Sequence, residues 1–129
     1  MKLNLDCIRD ILLRCEAECS LNESLQWSEL TLSDFETLTY SKQDIAYTII
    51  LLEEAGYIKA FINYYDDAIG YLCITRLTYS GHEFLDSIRP DSIWKKIKHH
   101  ISTIGNVSLP VIQSLGSDFI SQYLFHNQP

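Results

Sequence analysis

The chain is short of positive charge. Ten Lys or Arg stand against 17 Asp or Glu in 129 residues, a formal charge of −7. The deficit is uneven: up to Pro90 there are 7 basic and 15 acidic residues, a net of −8, and from Asp91 onward 3 and 2, a net of +1. Between Arg14 and Lys42 lie Glu16, Glu18, Glu23, Glu29, Asp34 and Glu36, with no Lys or Arg among them. A face of that sign repels phosphate, so two readings stand: a solvated face that keeps the protein in solution, or a surface that meets a basic partner.

Other absences narrow the class. No run approaches the roughly 20 apolar residues of a spanning helix, and charged Asp6, Arg9 and Asp10 follow Met1 to Leu5 directly, unlike a secretory leader. The expectation is a cytoplasmic protein without membrane contact. Cys7, Cys15, Cys19 and Cys73 form no C-x-x-C pair and are expected as reduced thiols packed like small hydrophobes. A zinc site from Cys15, Cys19 and a histidine would lack the two tight ligand pairs usual for such sites. The sequence contains no nucleophile elbow, phosphate loop or cofactor fingerprint. His82-Glu83 lacks the second histidine of an H-E-x-x-H helix, because position 86 is Asp86. Glu83 and Asp86 are paired only in sequence, with nothing to separate their acidities for acid-base work. A non-enzymatic protein with no metal and no cofactor is expected, His82 serving a structural role.

The elements present are legible from spacing. Leu5, Ile8, Ile11, Leu12, Cys15 and Cys19 have the 3-4 period of an amphipathic helix. From Leu25 to Leu32 alternation suggests a short strand. Ser41 is an N-cap with Asp44 three residues on, and the spacing predicts a helix to about Ala55. Ile45, Ile49 and Leu52 are expected inward, with Asp44, Tyr47, Thr48 and Leu51 outward, and Gly56 as the left-handed cap. Tyr57–Tyr65 and Ile69–Leu77, joined at Asp66-Asp67, read as a strand pair. Thr78 caps a helix that ends at Arg89-Pro90. A further helix from Asp91 or Ser92 puts Ile93, Trp94, Ile97, Ile101 and Ile104 on one side, and Gly105-Asn106 breaks it. A last helix begins near Ser108, with Pro110 in its first turn and Ile112, Leu115, Phe119, Tyr123 and Leu124 on one face.

Helix, hairpin and helix in that order, with Leu52-Glu53-Glu54-Ala55-Gly56-Tyr57-Ile58 and Leu77-Thr78 followed by Gly81, Phe84 and Leu85, resemble bacterial winged-helix regulators. A closer resemblance covers nearly the whole chain. It rests on Met1 to Leu13, on Leu77-Thr78 with Gly81-His82-Glu83-Phe84-Leu85-Asp86 and Ile88-Arg89, and on Trp94-Lys95-Lys96. The chain resembles the bacterial and phage family catalogued as domain of unknown function 2513. That resemblance implies a small cytoplasmic protein, often carried by phages and mobile elements, with no assigned reaction. The expected fold class is α+β: a winged-helix-like domain over 1–90 and a C-terminal helical pair over 91–129 that packs on it or mediates dimerisation. Thr31 to Tyr40 leaves little room for the second helix that normally precedes a recognition helix.

Two functions follow as expectations. The first is a non-enzymatic interaction protein of phage or mobile-element type. It binds a host protein or protein–nucleic-acid complex through Glu29, Asp34, Glu36, Tyr64, Tyr65, Asp66 and Asp67, and is most concretely an inhibitor of a host nucleic-acid-binding or defence complex. The second is a dimeric DNA-binding transcriptional regulator whose contacts come from Lys42, Gln43, Tyr47, Thr48, Lys95, Lys96 and Lys98. The wing weighs against the second, since no Lys or Arg lies between Lys59 and Arg76.

Overall fold

A computed structural model describes residues 3–32, 40–66 and 68–126. It is an α+β fold with a wing. Its elements are α1 (Leu5–Glu18), β1 (Leu25–Gln26), α2 (Trp27–Leu32), α3 (Lys42–Glu54), β2 (Ile58–Tyr65), β3 (Ala68–Leu77), α4 (Tyr79–Ile88), α5 (Asp91–Ile104) and α6 (Leu109–His126). The strands form one antiparallel sheet in the order β1-β3-β2. The chain divides into two compact units, Met1–His82 and Glu83–Pro129, and the division falls inside α4.

In the first unit, α1 starts where the Asn4 side chain accepts from the Cys7 amide at 3.1 Å. It buries Cys7, Ile8, Ile11, Leu12 and Cys15 against α3 and β3. The Ser41 hydroxyl accepts from the Asp44 amide at 3.0 Å and caps α3. The α3 helix ends in a Schellman motif, with the Tyr57 amide donating to Leu52 O (2.9 Å) and the Gly56 amide to Glu53 O (3.0 Å). Gly56 takes φ +83 there. Leu25, Leu30, Ile45, Ile49, Leu52, Ile58, Leu72 and Ile74 complete the core, each side chain contributing about 1.5–3 kcal/mol by leaving water.

Three expectations need correction. The segment from Leu25 is strand only at Leu25 and Gln26, which pair with Ile74 and Cys73; the chain then turns helical at Trp27. Trp27 and Leu30 are three apart, a helical spacing that the alternation hid, so a second helix does precede α3. Thr48 is buried at 1% exposure rather than outward. It lies three residues after Ile45 and four before Leu52, on the inward stripe, and its hydroxyl donates to the Asp44 carbonyl one turn back (2.6 Å).

In the second unit, α5 and α6 pack together through Ile93, Trp94, Ile97 and Ile101 on one helix and Leu109, Ile112, Gly116 and Phe119 on the other. A Cβ on Gly116 would stand 2.1 Å from the Ser87 carbonyl oxygen, so α4 meets α6 backbone to side-chain-free backbone. The third falls here: Ile104, Tyr123 and Leu124, placed on the apolar faces expected to pack on the domain or on a second copy, are 76%, 65% and 56% exposed in the single chain.

The base of the hairpin is the tightest point of the first unit. The Thr78 amide donates to the Tyr57 carbonyl at 3.0 Å, and a Cβ at Gly81 would lie 1.9 Å from that same oxygen. Gly81→Ala is therefore expected to lower the unfolding free energy by about 1–3 kcal/mol or more, through backbone that has nowhere to move. Gly56→Ala, with open space around the new carbon, should cost only the left-handed strain, about 1 kcal/mol. Urea unfolding of the two variants checks the order; a neutral Gly81→Ala would contradict the close approach.

Candidate functional site

The wing is a long hairpin on a short sheet. Ile58 opposes Leu77 at its base and Tyr65 opposes Ala68 at its tip, with register irregularities between Lys59 and Ala60 and between Asn63 and Tyr64. Asp66 turns the chain at φ +50, a conformation that two-residue hairpin loops require and that Asp tolerates. β1 covers only Leu25 and Gln26, so beyond Cys73 the hairpin continues as two strands. Large aromatic rings along the hairpin stay in solvent: Phe61 at 56%, Tyr64 at 61%, Tyr65 at 76% and Tyr71 at 44%.

These rings are organised. Phe61 and Tyr71 lie edge to face, centroids 6.2 Å apart at 62°, a diagonal cross-strand pair since Phe61 opposes Cys73. The Tyr71 hydroxyl is tied to Cys73 and Gln26, and the bond to Cys73 is the main cause that raises its pKa above the ordinary phenol value. Asp66 is exposed at the tip. Exposed aromatic rings beside the Asp66 carboxylate can bury apolar area and accept hydrogen bonds or ion pairs at their edge, and the segment between Lys59 and Arg76 has no cation to offer a phosphate.

The other expected residues are dispersed. Glu29 is exposed on α2, where its carbonyl accepts from Arg14 at 3.3 Å; Asp34, Glu36 and Asp67 lie outside the described residues. Lys42 and Gln43 are exposed on the first turn of α3, Tyr47 is half-buried and Thr48 is buried, so of the four α3 residues proposed to reach DNA only the first two stand clear of the fold. Lys95, Lys96 and Lys98 belong to α5 in the second unit; the Lys96 ammonium lies 5.4 Å from the Phe119 ring and the Lys98 ammonium 6.0 Å from Trp94. Phe61 went unnoticed in the sequence, where a strand's partnered and unpartnered faces look alike.

A second site brings together Cys15, Cys19 and a histidine, residues that the sequence offered only as a weak zinc candidate. The end of α1, the turn after it and the base of β3 enclose a groove of about 760 Å³ lined by Cys15, Glu16, Cys19, Glu23, Arg76 and His82, among others. His82 is exposed there. Cys15 and Cys19 are hydrogen-bonded to each other, and this bond is the largest cause of opposite displacements: Cys19 is lowered to about 7 and Cys15 raised far above the ordinary thiol value. The neutral Cys19 thiol donates to the Ile74 carbonyl at 3.4 Å; as a thiolate it accepts from Cys15 and from the Leu25 backbone. Cys7, by contrast, is fully buried and pushed up to about 11, chiefly by desolvation. Among the described residues no group of three His, Cys, Asp or Glu side chains is placed to hold a metal ion, and no helix is long and apolar enough to cross a membrane.

Comparison with known proteins gives two matches. The family described as "Hypothetical protein (DUF2513)" matches residues 2–107. An uncharacterized protein of Haemophilus influenzae is 37% identical over 125 residues, covering 96% of this chain and 99% of its own length. No solved structure matches the chain.

The thiol pair sets a pH dependence. Alkylation by iodoacetamide, followed by peptide mapping, should modify Cys19 in the folded protein with a midpoint near pH 7 because the thiolate is the reactive form. Cys15→Ala removes the donor and should move that midpoint upward, toward the ordinary 9.0. A midpoint near 9.0 in the unaltered protein would contradict the pairing.

Proposed function

This chain belongs to the DUF2513 family of hypothetical proteins, and we propose that it acts without catalysis, by docking its aromatic, acidic wing onto another protein. The observation that carries this reading is the combination at the tip: Phe61, Tyr64, Tyr65 and Tyr71 exposed together with Asp66 beside them, and no Lys or Arg between Lys59 and Arg76. Aromatic side chains are the usual energetic centres of protein interfaces, and truncating one at such a centre costs 2 kcal/mol or more. Glu29 is exposed on α2 and, with Asp34 and Glu36 of the same acid-rich interval of the sequence, supplies carboxylates that suit a basic partner. In its most specific form the protein is a phage or mobile-element inhibitor that occupies the phosphate-binding groove of a host nucleic-acid or defence complex. Spread carboxylates can stand there in place of the phosphates.

A second reading is favoured by one observation: α2 precedes α3, and Lys42 and Gln43 are exposed at the start of α3, the order of a helix-turn-helix DNA reader. It makes the protein a transcriptional regulator dimerised through its C-terminal helices, with Lys95, Lys96 and Lys98 on phosphates. Its cost is the acidity of the wing, since affinity for DNA grows with the number of phosphates neutralised.

The two readings separate in one pair of measurements. Affinity capture from the native host should recover a defined protein whose affinity falls at least about tenfold in Tyr64→Ala/Tyr65→Ala and falls again on charge reversal of Glu29, Asp34 and Glu36. Gel shift with DNA upstream of the protein's own gene should show no retention at low salt. Capture indifferent to all five substitutions, together with a shift that weakens steeply with salt and is lost in Lys42→Ala/Gln43→Ala, would replace the first reading by the second.

A further inference from the structure

We propose that Cys15 and Cys19 form a thiol–disulfide exchange site, with Cys19 as the attacking thiolate and Cys15 as the resolving thiol, acting on low-molecular-weight disulfides that enter the groove beside them. The placement of the two residues supports the division of labour. Cys15 is 1% exposed on the inward stripe of α1, whereas Cys19 is half-buried on the groove wall. Only Cys19 can meet a reagent from solution, and only Cys15 is positioned to attack what forms on Cys19.

The backbone already holds the pair at bridging distance. The Cys19 amide donates to the Cys15 carbonyl at 3.0 Å, the one-turn bond of a helix, which keeps the α-carbons about 6 Å apart, within the span of a disulfide. Cys19 is also the first residue out of the helix, with φ −83 and ψ 139, so its side chain is not confined by a following helical turn. Arg76, His82, Glu16 and Glu23 line the same groove and offer polar side chains to a ligand beside the thiols. A disulfide of cysteine-containing peptides carries carboxylates and ammonium groups that complement such a set. Cys7 and Cys73 line no part of this groove.

The chemistry balances without a further reagent. The Cys19 thiolate attacks one sulfur of the small disulfide, forming a mixed disulfide and expelling one small thiolate. Cys15 gives up its proton and attacks the Cys19 sulfur, expelling the second. The protein loses two hydrogens and the small disulfide gains them as two thiols. Transient disulfides of this kind are the form met in reducing compartments.

The test is oxidised glutathione added to the reduced full-length chain, read by intact mass and by peptide mapping after acid quenching. The expected product is a Cys15–Cys19 disulfide with the loss of two hydrogens. Cys15→Ser should accumulate the mixed disulfide on Cys19, Cys19→Ser should form neither product, and Cys73→Ser should behave as the unaltered protein. Should Cys19→Ser fail to fold, prior alkylation of the native protein serves instead: modification at neutral pH should favour Cys19 over Cys73 by about tenfold or more and abolish disulfide formation. Glutathione stably bound to Cys19 with Cys15 intact, or adducts spread equally over Cys19 and Cys73, would overturn the proposal.

Discussion

The Tyr57 carbonyl is the point on which the first unit turns. It accepts from the Thr78 amide (3.0 Å) and is approached so closely by Gly81 that no side chain fits between them. The Thr78 hydroxyl links the same three segments, donating to the Gly56 carbonyl at 2.5 Å and accepting from the Gly81 amide at 3.0 Å. One residue thus closes the hairpin, caps α4 and ties both to the end of α3. Because the base is clamped, the strands can run on past the edge of the three-stranded sheet and still hold one direction. Tyr64, Tyr65 and Tyr71 sit where the sheet has narrowed to two strands, and Phe61 stands opposite Cys73, at the last residue of β3 that β1 covers.

Charge then decides what such a projection can touch. A winged helix that binds DNA needs cations on wing and helix, because phosphate contacts supply most of its nonspecific affinity. Here the wing carries none between Lys59 and Arg76, and α3 offers Lys42 and Gln43 at its start while Thr48 is spent on the core. Apolar area compensates: four aromatic rings, two of them in edge-to-face contact, are a surface that gains by covering. The Cys15–Cys19 pair lies elsewhere in the same unit, at the groove between the end of α1 and the base of β3.

Much of the fold was legible because local rules and tertiary packing agree. Ser41 and Thr78 sit at helix starts and donate or accept as cap residues do; Gly56 and Asp66 adopt the left-handed conformations their residue types suggest. What the sequence hid has physical causes. Thr48 reads as polar, yet a helix backbone can satisfy its hydroxyl one turn back and let it face the core. Trp27 fits a strand and a helix equally until Leu30 is seen to be buried. Cys19 has the same composition signal as Cys15, but it ends the helix instead of lying inside it, and that single step changes a packed thiol into an accessible one. Phe61 is 56% exposed although its cross-strand partner Cys73 still pairs with β1; which face of a strand stays uncovered is set by tertiary packing and not by β2 itself.

What the wing meets in the cell decides between protein docking and DNA binding. A photo-crosslinking residue placed at Tyr65, in cells of the native host, reports the neighbour of the tip directly; the same residue at Tyr79, also exposed at 79% but off the wing, serves as the comparison. Protein docking predicts one discrete protein adduct at Tyr65 and none at Tyr79. Adducts at Tyr65 that are nucleic acid, removed by nuclease and not by protease, would contradict it.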